Sequence, residues 1–148
     1  MSQIDEMYND KLPGYLNRYV ADAHSSLATA FTEQERFDNA IRHYREVLKI
    51  LPDSDDAYYN LGNVFFKQDK LDEAIKHYIK ALDLNPSHPE AHYNLGNSLF
   101  QQEKFEEAII HYSKAIELKP DWQQARSNLR LAQNRKSQKE KVKSPWLR

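Results

Sequence analysis

The stretch from Tyr58 to Pro86 recurs at a fixed spacing of 34 positions, which restricts the chain more than any other feature. Leu61, Gly62, Ala74, Tyr78, Ala81 and Pro86 map onto Leu95, Gly96, Ala108, Tyr112, Ala115 and Pro120 without an insertion, and backwards onto Leu27, Ala28, Ala40, Tyr44, Val47 and Pro52. Three copies at one period of this size define a stack of repeated units, each burying its apolar face against its neighbours.

Inside the middle unit, Tyr58, Leu61, Gly62 and Phe65 fall at i, i+3, i+4 and i+7, one stripe of an α-helix. Leu71, Ala74, Ile75, Tyr78 and Leu82 form a second stripe, so each unit is two helices. The few residues around Asp69 and Lys70 that separate them force an antiparallel pair. Glycine in mid-helix costs roughly 0.5–1 kcal/mol relative to alanine, so Gly62 and Gly96 imply a close approach between helices. Ala40, Ala74 and Ala108 are small where the paired helices cross. Pro52, Pro86 and Pro120 end each unit, and the following Asp53, Ser87 and Asp121 are expected to cap the next helix, Ser87 with Glu90 at capping-box spacing.

The aromatic, Leu-Gly, second aromatic, paired alanines and closing proline resemble the tetratricopeptide repeat. The pattern departs at Ala28 for glycine, Val47 for alanine, and His24 and His92 for the first aromatic. The resemblance implies an all-α, right-handed α-solenoid of three helix-turn-helix units plus a C-terminal capping helix. On that reading residues 1–14 are a leader and 15–138 the repeat domain. The units span 21–54, 55–88 and 89–122, the capping helix about 122–138, and residues 139–148 a mobile basic tail. The first helix, with Leu16, Tyr19, Val20, Ala23, Leu27 and Phe31 at helical spacing, is expected to shield the N-terminal end of the stack.

Composition removes several chemistries. Three glycines and no cysteine argue against a phosphate-cradling loop, a disulfide framework, a thiolate metal site and a cysteine nucleophile, and no cofactor is expected. No apolar run reaches the roughly 18 residues of a membrane span, and the leader is unlike a secretory signal, so a cytoplasmic protein is expected. Residues 1–122 hold 13 Lys/Arg against 21 Asp/Glu, and 123–148 hold 8 against 1. Basic residues in the tail are thinly spread and no aromatics interleave them, which favours a solvated helix end over contact with nucleic acid or membrane.

Function then falls to the face opposite the core stripe. Asp56, Tyr59, Asn63, Phe66 and Lys67 lie roughly 140° away from it, and their equivalents are Glu90, Tyr93, Asn97, Phe100 and Gln101. In the family that face lines a concave groove for extended peptides, which the resemblance implies here, with Tyr59, Tyr93, Phe66 and Phe100 as anchors. Asn60, Asn94 and Asn128 also recur at the repeat spacing. Their amides suit either a peptide backbone or a bridge between neighbouring helices. The family's clamp for chaperone C-terminal carboxylates fits poorly: it needs basic residues where Ser25, Glu90 and Asn94 stand, or Tyr59, Gln124 and Asn128.

His43, His77 and His111 repeat too, but stacked helices about 8–10 Å apart are badly spaced for shared zinc ligands, so they read as structural. Asp72 with Glu73 and Glu106 with Glu107 sit at helix starts, where carboxylates complement the dipole rather than catalyse. The sequence therefore reads as a non-catalytic interaction module, an adaptor or scaffold for a protein or peptide partner. A self-assembling homo-oligomeric scaffold, or a regulatory repeat region of an enzyme complex, are the rival readings.

Overall fold

The computed structural model describes residues 14–143, all of whose secondary structure is helical. The helices are α1 (Gly14–Glu33), α2 (Phe37–Ile50), α3 (Asp55–Lys67), α4 (Leu71–Leu84), α5 (Pro89–Gln101), α6 (Phe105–Leu118) and α7 (Gln123–Lys143). Of the leader expected at 1–14, residues 1–13 lie outside the described residues and Gly14 already begins α1; the Ser144–Arg148 end of the basic tail lies outside them too.

Each helix pair closes through the same three-residue turn. Lys70 N donates to Phe65 O and Asp69 N to Phe66 O, a Schellman arrangement in which Asp69 takes the left-handed φ of 58°. Glu35 and Glu103 do the same with φ of 57° and 58°, so the turn recurs without glycine. Ser54 caps α3 by accepting from Ala57 N, and His88 caps α5 by accepting from Ala91 N at Nδ1. Both caps lie one residue beyond the expected Asp53 and Ser87. Ser54 competes with Asp53 for the same role, and a neutral histidine offers an acceptor nitrogen that serine-based rules overlook.

Helices of one pair pack most extensively, and each second helix packs on the first helix of the following pair. The odd-numbered helices also touch along their own row, while α2, α4 and α6 make no comparable contact with each other. The stack therefore curves, with α1, α3, α5 and α7 on the inner side. One continuous core runs from Ala28 to Ala132, and Leu61, Val64, Tyr78, Leu95 and Tyr112 are essentially sealed within it. A Cβ added to Gly62 would lie 2.5 Å from Tyr78 Cε1, and one on Gly96 would lie 2.8 Å from Tyr112 Cδ1. The mid-helix glycines are thus spaces for tyrosine rings. Ala40, Ala74 and Ala108 are fully buried at the crossings.

Two ends differ from expectation. The first helix does not shield the stack: Tyr15, Tyr19, Val20 and Leu27 are exposed, Leu27 at 47% where its equivalents Leu61 and Leu95 are at 2% and 1%. The second helix of the preceding unit packs against α3 and against α5, and among the described residues no helix packs on α1 in that way. The last helix runs to Lys143, so residues 139–143 are helical rather than a mobile tail. Lys139 ties them down, donating to Glu103 O at 3.2 Å and lying 5.3 Å from the Phe105 ring centre.

Candidate functional site

The inner row presents Tyr59, Asn63 and Phe66 from α3, Tyr93, Asn97 and Phe100 from α5, and Asn128 from α7. All seven are partly buried, while Asp56, Lys67 and Gln101 are exposed at the margins. Phe66, Asn97, Phe100, Gln101 and Asn128 are brought together around one cavity of about 360 Å³, together with Tyr112 and Leu131. Leu131 was missed from sequence, although it stands at the repeat equivalent of Asn63 and Asn97.

The amides behave differently from a free ladder. Asn94 Nδ2 donates to Tyr59 Oη at 3.2 Å and to Asn63 Oδ1 at 2.9 Å, and the same Asn63 oxygen accepts from Tyr78 Oη at 2.8 Å. Asn128 Nδ2 repeats this on Tyr93 Oη at 3.1 Å and Asn97 Oδ1 at 3.0 Å, with Tyr112 Oη donating to Asn97 at 2.8 Å. Asn94 and Asn128 therefore bridge neighbouring units. Burial, with the nearby Tyr59 and Tyr93 rings adding to it, pushes the Tyr78 and Tyr112 phenols well above the ordinary tyrosine value, so both stay neutral donors. Asn60, at the first junction, has no such partner among the described residues, because Ser25 and Thr29 stand where a tyrosine and an asparagine would be.

The bridging leaves part of each amide available. Gln68 Oε1 and Gln102 Oε1 are the only sealed, unpartnered side-chain polar atoms among the described residues. Asn63 Nδ2 and Asn94 Oδ1 bond to no other described residue and are not sealed, so each keeps some contact with solvent. Tyr59 and Tyr93 are fixed from three sides: by the bridging amide, by Tyr78 or Tyr112 beneath, and by a second ring. His88 lies over Tyr59 with ring centres 4.7 Å apart, and Trp122 over Tyr93 at 4.5 Å. His88 and Trp122 escaped the sequence reading because they sit at helix starts, off the apolar stripes. Of the marginal charges, Glu90 pairs with Lys119 at 3.4 Å and Asp56 faces His88 Nε2 at 3.8 Å.

The repeating histidines lie away from this face and apart from one another. His43 Nδ1 meets His24 Nδ1 at 2.8 Å, His111 Nδ1 meets His92 Nδ1 at 3.0 Å, and His77 bonds Glu73 O. His92 Nε2 donates to Pro86 O at 2.9 Å, so its Nδ1 accepts the His111 proton. Asp55, Asp56 and His88 bring ligand atoms within 4.8 Å of one another. However, His88 Nδ1 is taken by the Ala91 N–H, which puts the ring proton on the nitrogen facing Asp56 and leaves no lone pair there for an ion. That trio is a helix cap. Asp72, Glu73, Glu106 and Glu107 lie in the first turns of α4 and α6, and no helix among the described residues is long and apolar enough to cross a membrane.

Among solved structures, the first tetratricopeptide domain of human RPAP3 is 25% identical, with 82% of this chain and 96% of that one covered and a TM-score of 0.78. The first such domain of Spaghetti (RPAP3), bound to the HSP90 peptide SRMEEVD, is also 25% identical, covering 78% and 92% at 0.76. A Thermobaculum terrenum O-GlcNAc transferase mutant is 29% identical, covering 78% of this chain but 22% of that one, at 0.72. No curated protein matches the sequence significantly. The sequence matches the family described as TPR repeat over residues 28–69 and 62–102, and the tetratricopeptide repeat over residues 89–121. With its repeats, its turn geometry and these matches in agreement, the chain belongs to the tetratricopeptide-repeat family and is an all-α interaction solenoid.

Proposed function

We propose that the chain is a non-catalytic adaptor or scaffold that holds an extended peptide segment of a partner protein along its inner face. The observation that carries this is the state of Tyr59, Phe66, Tyr93 and Phe100: each ring is partly exposed, and the tyrosines are locked by amide and ring partners before any ligand arrives. Rings already ordered lose little entropy on binding, so the ordering cost falls on the peptide. Asn63 Nδ2 and Asn94 Oδ1 add a donor and an acceptor suited to a peptide backbone.

The HSP90 peptide in one relative ends in acidic residues and a carboxylate. The margin of this groove carries Asp56 and Glu90, and the clamp positions Ser25, Glu90 and Asn94 hold no cation, which favours a ligand other than an acidic tail. Selection of a displayed random-peptide library on the full chain tests the reading. Recovered peptides are expected to lose at least about tenfold in affinity for Tyr59→Ala/Tyr93→Ala and for Phe66→Ala/Phe100→Ala, with helicity retained, and SRMEEVD is expected not to compete. Recovery of no binder, or of binders indifferent to both variants, overturns it.

A further inference from the structure

The three junctions along the inner face are not alike. At the second and third, the stacked pairs Tyr59–His88 and Tyr93–Trp122 fill the space between successive units. At the first, the same two positions are Ser25 and Ser54, and no ring is present. A cavity of about 420 Å³ opens there between α1 and the connection from α2 to α3. Its floor is apolar, formed by the buried Ala21, Val47 and Ala57. Its rim carries four carboxylates, Asp22, Asp53, Asp55 and Asp56, against one guanidinium, Arg18, which is already 3.5 Å from Asp22.

Helix-dipole complementarity does not account for this rim. Asp53, Asp55 and Asp56 crowd the start of α3, whereas the starts of α5 and α7 have a single acid each, Glu90 and Asp121. Asp22 pairs with Arg18, Asp55 accepts from Asn85 Nδ2 and Asp56 faces His88, but Asp53 bonds to no other described residue, and an aromatic occupant would refill the missing rings without adding a counter-charge to this acidic rim. A long cationic side chain satisfies both halves, its methylene stem on the apolar floor and its head among the acids. Asp22, Ser25 and Asp56 occupy the same helical positions as Asp56, Tyr59 and Glu90 one unit later, so the cavity lies on the same inner face as the groove residues.

The geometry points to this first-junction cavity as the socket for an arginine or lysine side chain of the bound peptide. The assignment rests on the groove reading for where the peptide backbone runs, but its test needs no peptide. Backbone amide NMR of the full chain, titrated with N-acetyl-arginine methylamide, is expected to show saturable shifts at Ser25 and from Ser54 to Ala57. The uncharged N-acetyl-citrulline methylamide is expected to bind at least about fivefold more weakly. Asp53→Asn with Asp56→Asn should weaken the arginine probe by about two- to fivefold per carboxylate removed. Ser25→Tyr with Ser54→His rebuilds the ring pair and should abolish its shifts. Absent shifts, an equal response to citrulline, an unchanged affinity in the asparagine variant, or shifts that survive the refilled cavity would each overturn the assignment. Failure here leaves the groove untouched, since that is judged by the dependence of selected peptides on Tyr59, Phe66, Tyr93 and Phe100.

Discussion

Replacing Gly62 with alanine should destabilise the chain, contrary to what helix propensity alone dictates. Propensity favours alanine by about 1 kcal/mol in a helix interior. Against it, the new Cβ would sit 2.5 Å and 2.6 Å from Tyr78 ring carbons. Tyr78 is fully buried, and its hydroxyl is held by Asn63, which in turn is held by Asn94 of the next unit. The ring cannot yield without both overpacking its surroundings, at about 1–3 kcal/mol, and breaking the Asn63 bond, at about 0.5–1.5 kcal/mol. The sum less the propensity gain is a net loss of about 2 kcal/mol, or about 4–8 °C in Tm for a chain of this size. Repeat 1 shows the relaxed alternative: Ala28 stands at the position, and the Tyr44 hydroxyl meets Thr29 Oγ1 at 3.1 Å, outside any tie to the next unit. Urea unfolding followed by far-UV circular dichroism measures the loss. Combination with Tyr78→Leu should cost less than the two single changes added, because the smaller side chain relieves the clash. A Gly62→Ala chain as stable as the parent, or strict additivity in the pair, would refute the reasoning.

Two further outcomes follow from the bonding. Asn94→Ala removes a donor shared by Tyr59 and Asn63 and should cost about 1–3 kcal/mol, while Asn60→Ala, at the untied junction, should stay within about 0.5 kcal/mol in the same urea assay. Burial first, and His92 beside it, hold His111 down to about 4, and burial also lowers His92 and His43. The folded chain therefore resists proton uptake. Stability should be full above the ordinary histidine value near 6.5 and fall as pH drops toward about 4. His111→Phe should flatten the pH dependence of the urea midpoint, and an identical slope in parent and variant would contradict the assignment.

The architecture was legible because each signal repeats: a stripe, glycine or proline found once is ambiguous, but the same residue 34 positions on fixes its role. The inward faces of Tyr59, Asn63, Phe66 and their equivalents were legible for the same reason, since helical angle follows from numbering alone. What the asparagines do was not. Whether Asn94 serves a ligand or Tyr59 depends on a distance across two units, 35 residues apart in the chain. His88 and Trp122 stayed hidden because ring stacking at helix starts leaves no periodic trace within one helix, although Ser54, His88 and Trp122 do share a repeat position. Helix α7 reached Lys143 despite weak patterning because one long cationic side chain finds both an acceptor and a ring on the preceding pair.

The amide bridges fall at the second and third junctions and are missing from the first. Disassembly of the stack should accordingly start at the amino-terminal unit, which among the described residues no amide bridge ties across to its neighbour, and spread from there. A guest lodged between α1 and α3 would supply the missing cross-link itself, so occupancy would firm up the loosest unit and even out cooperativity along the whole array.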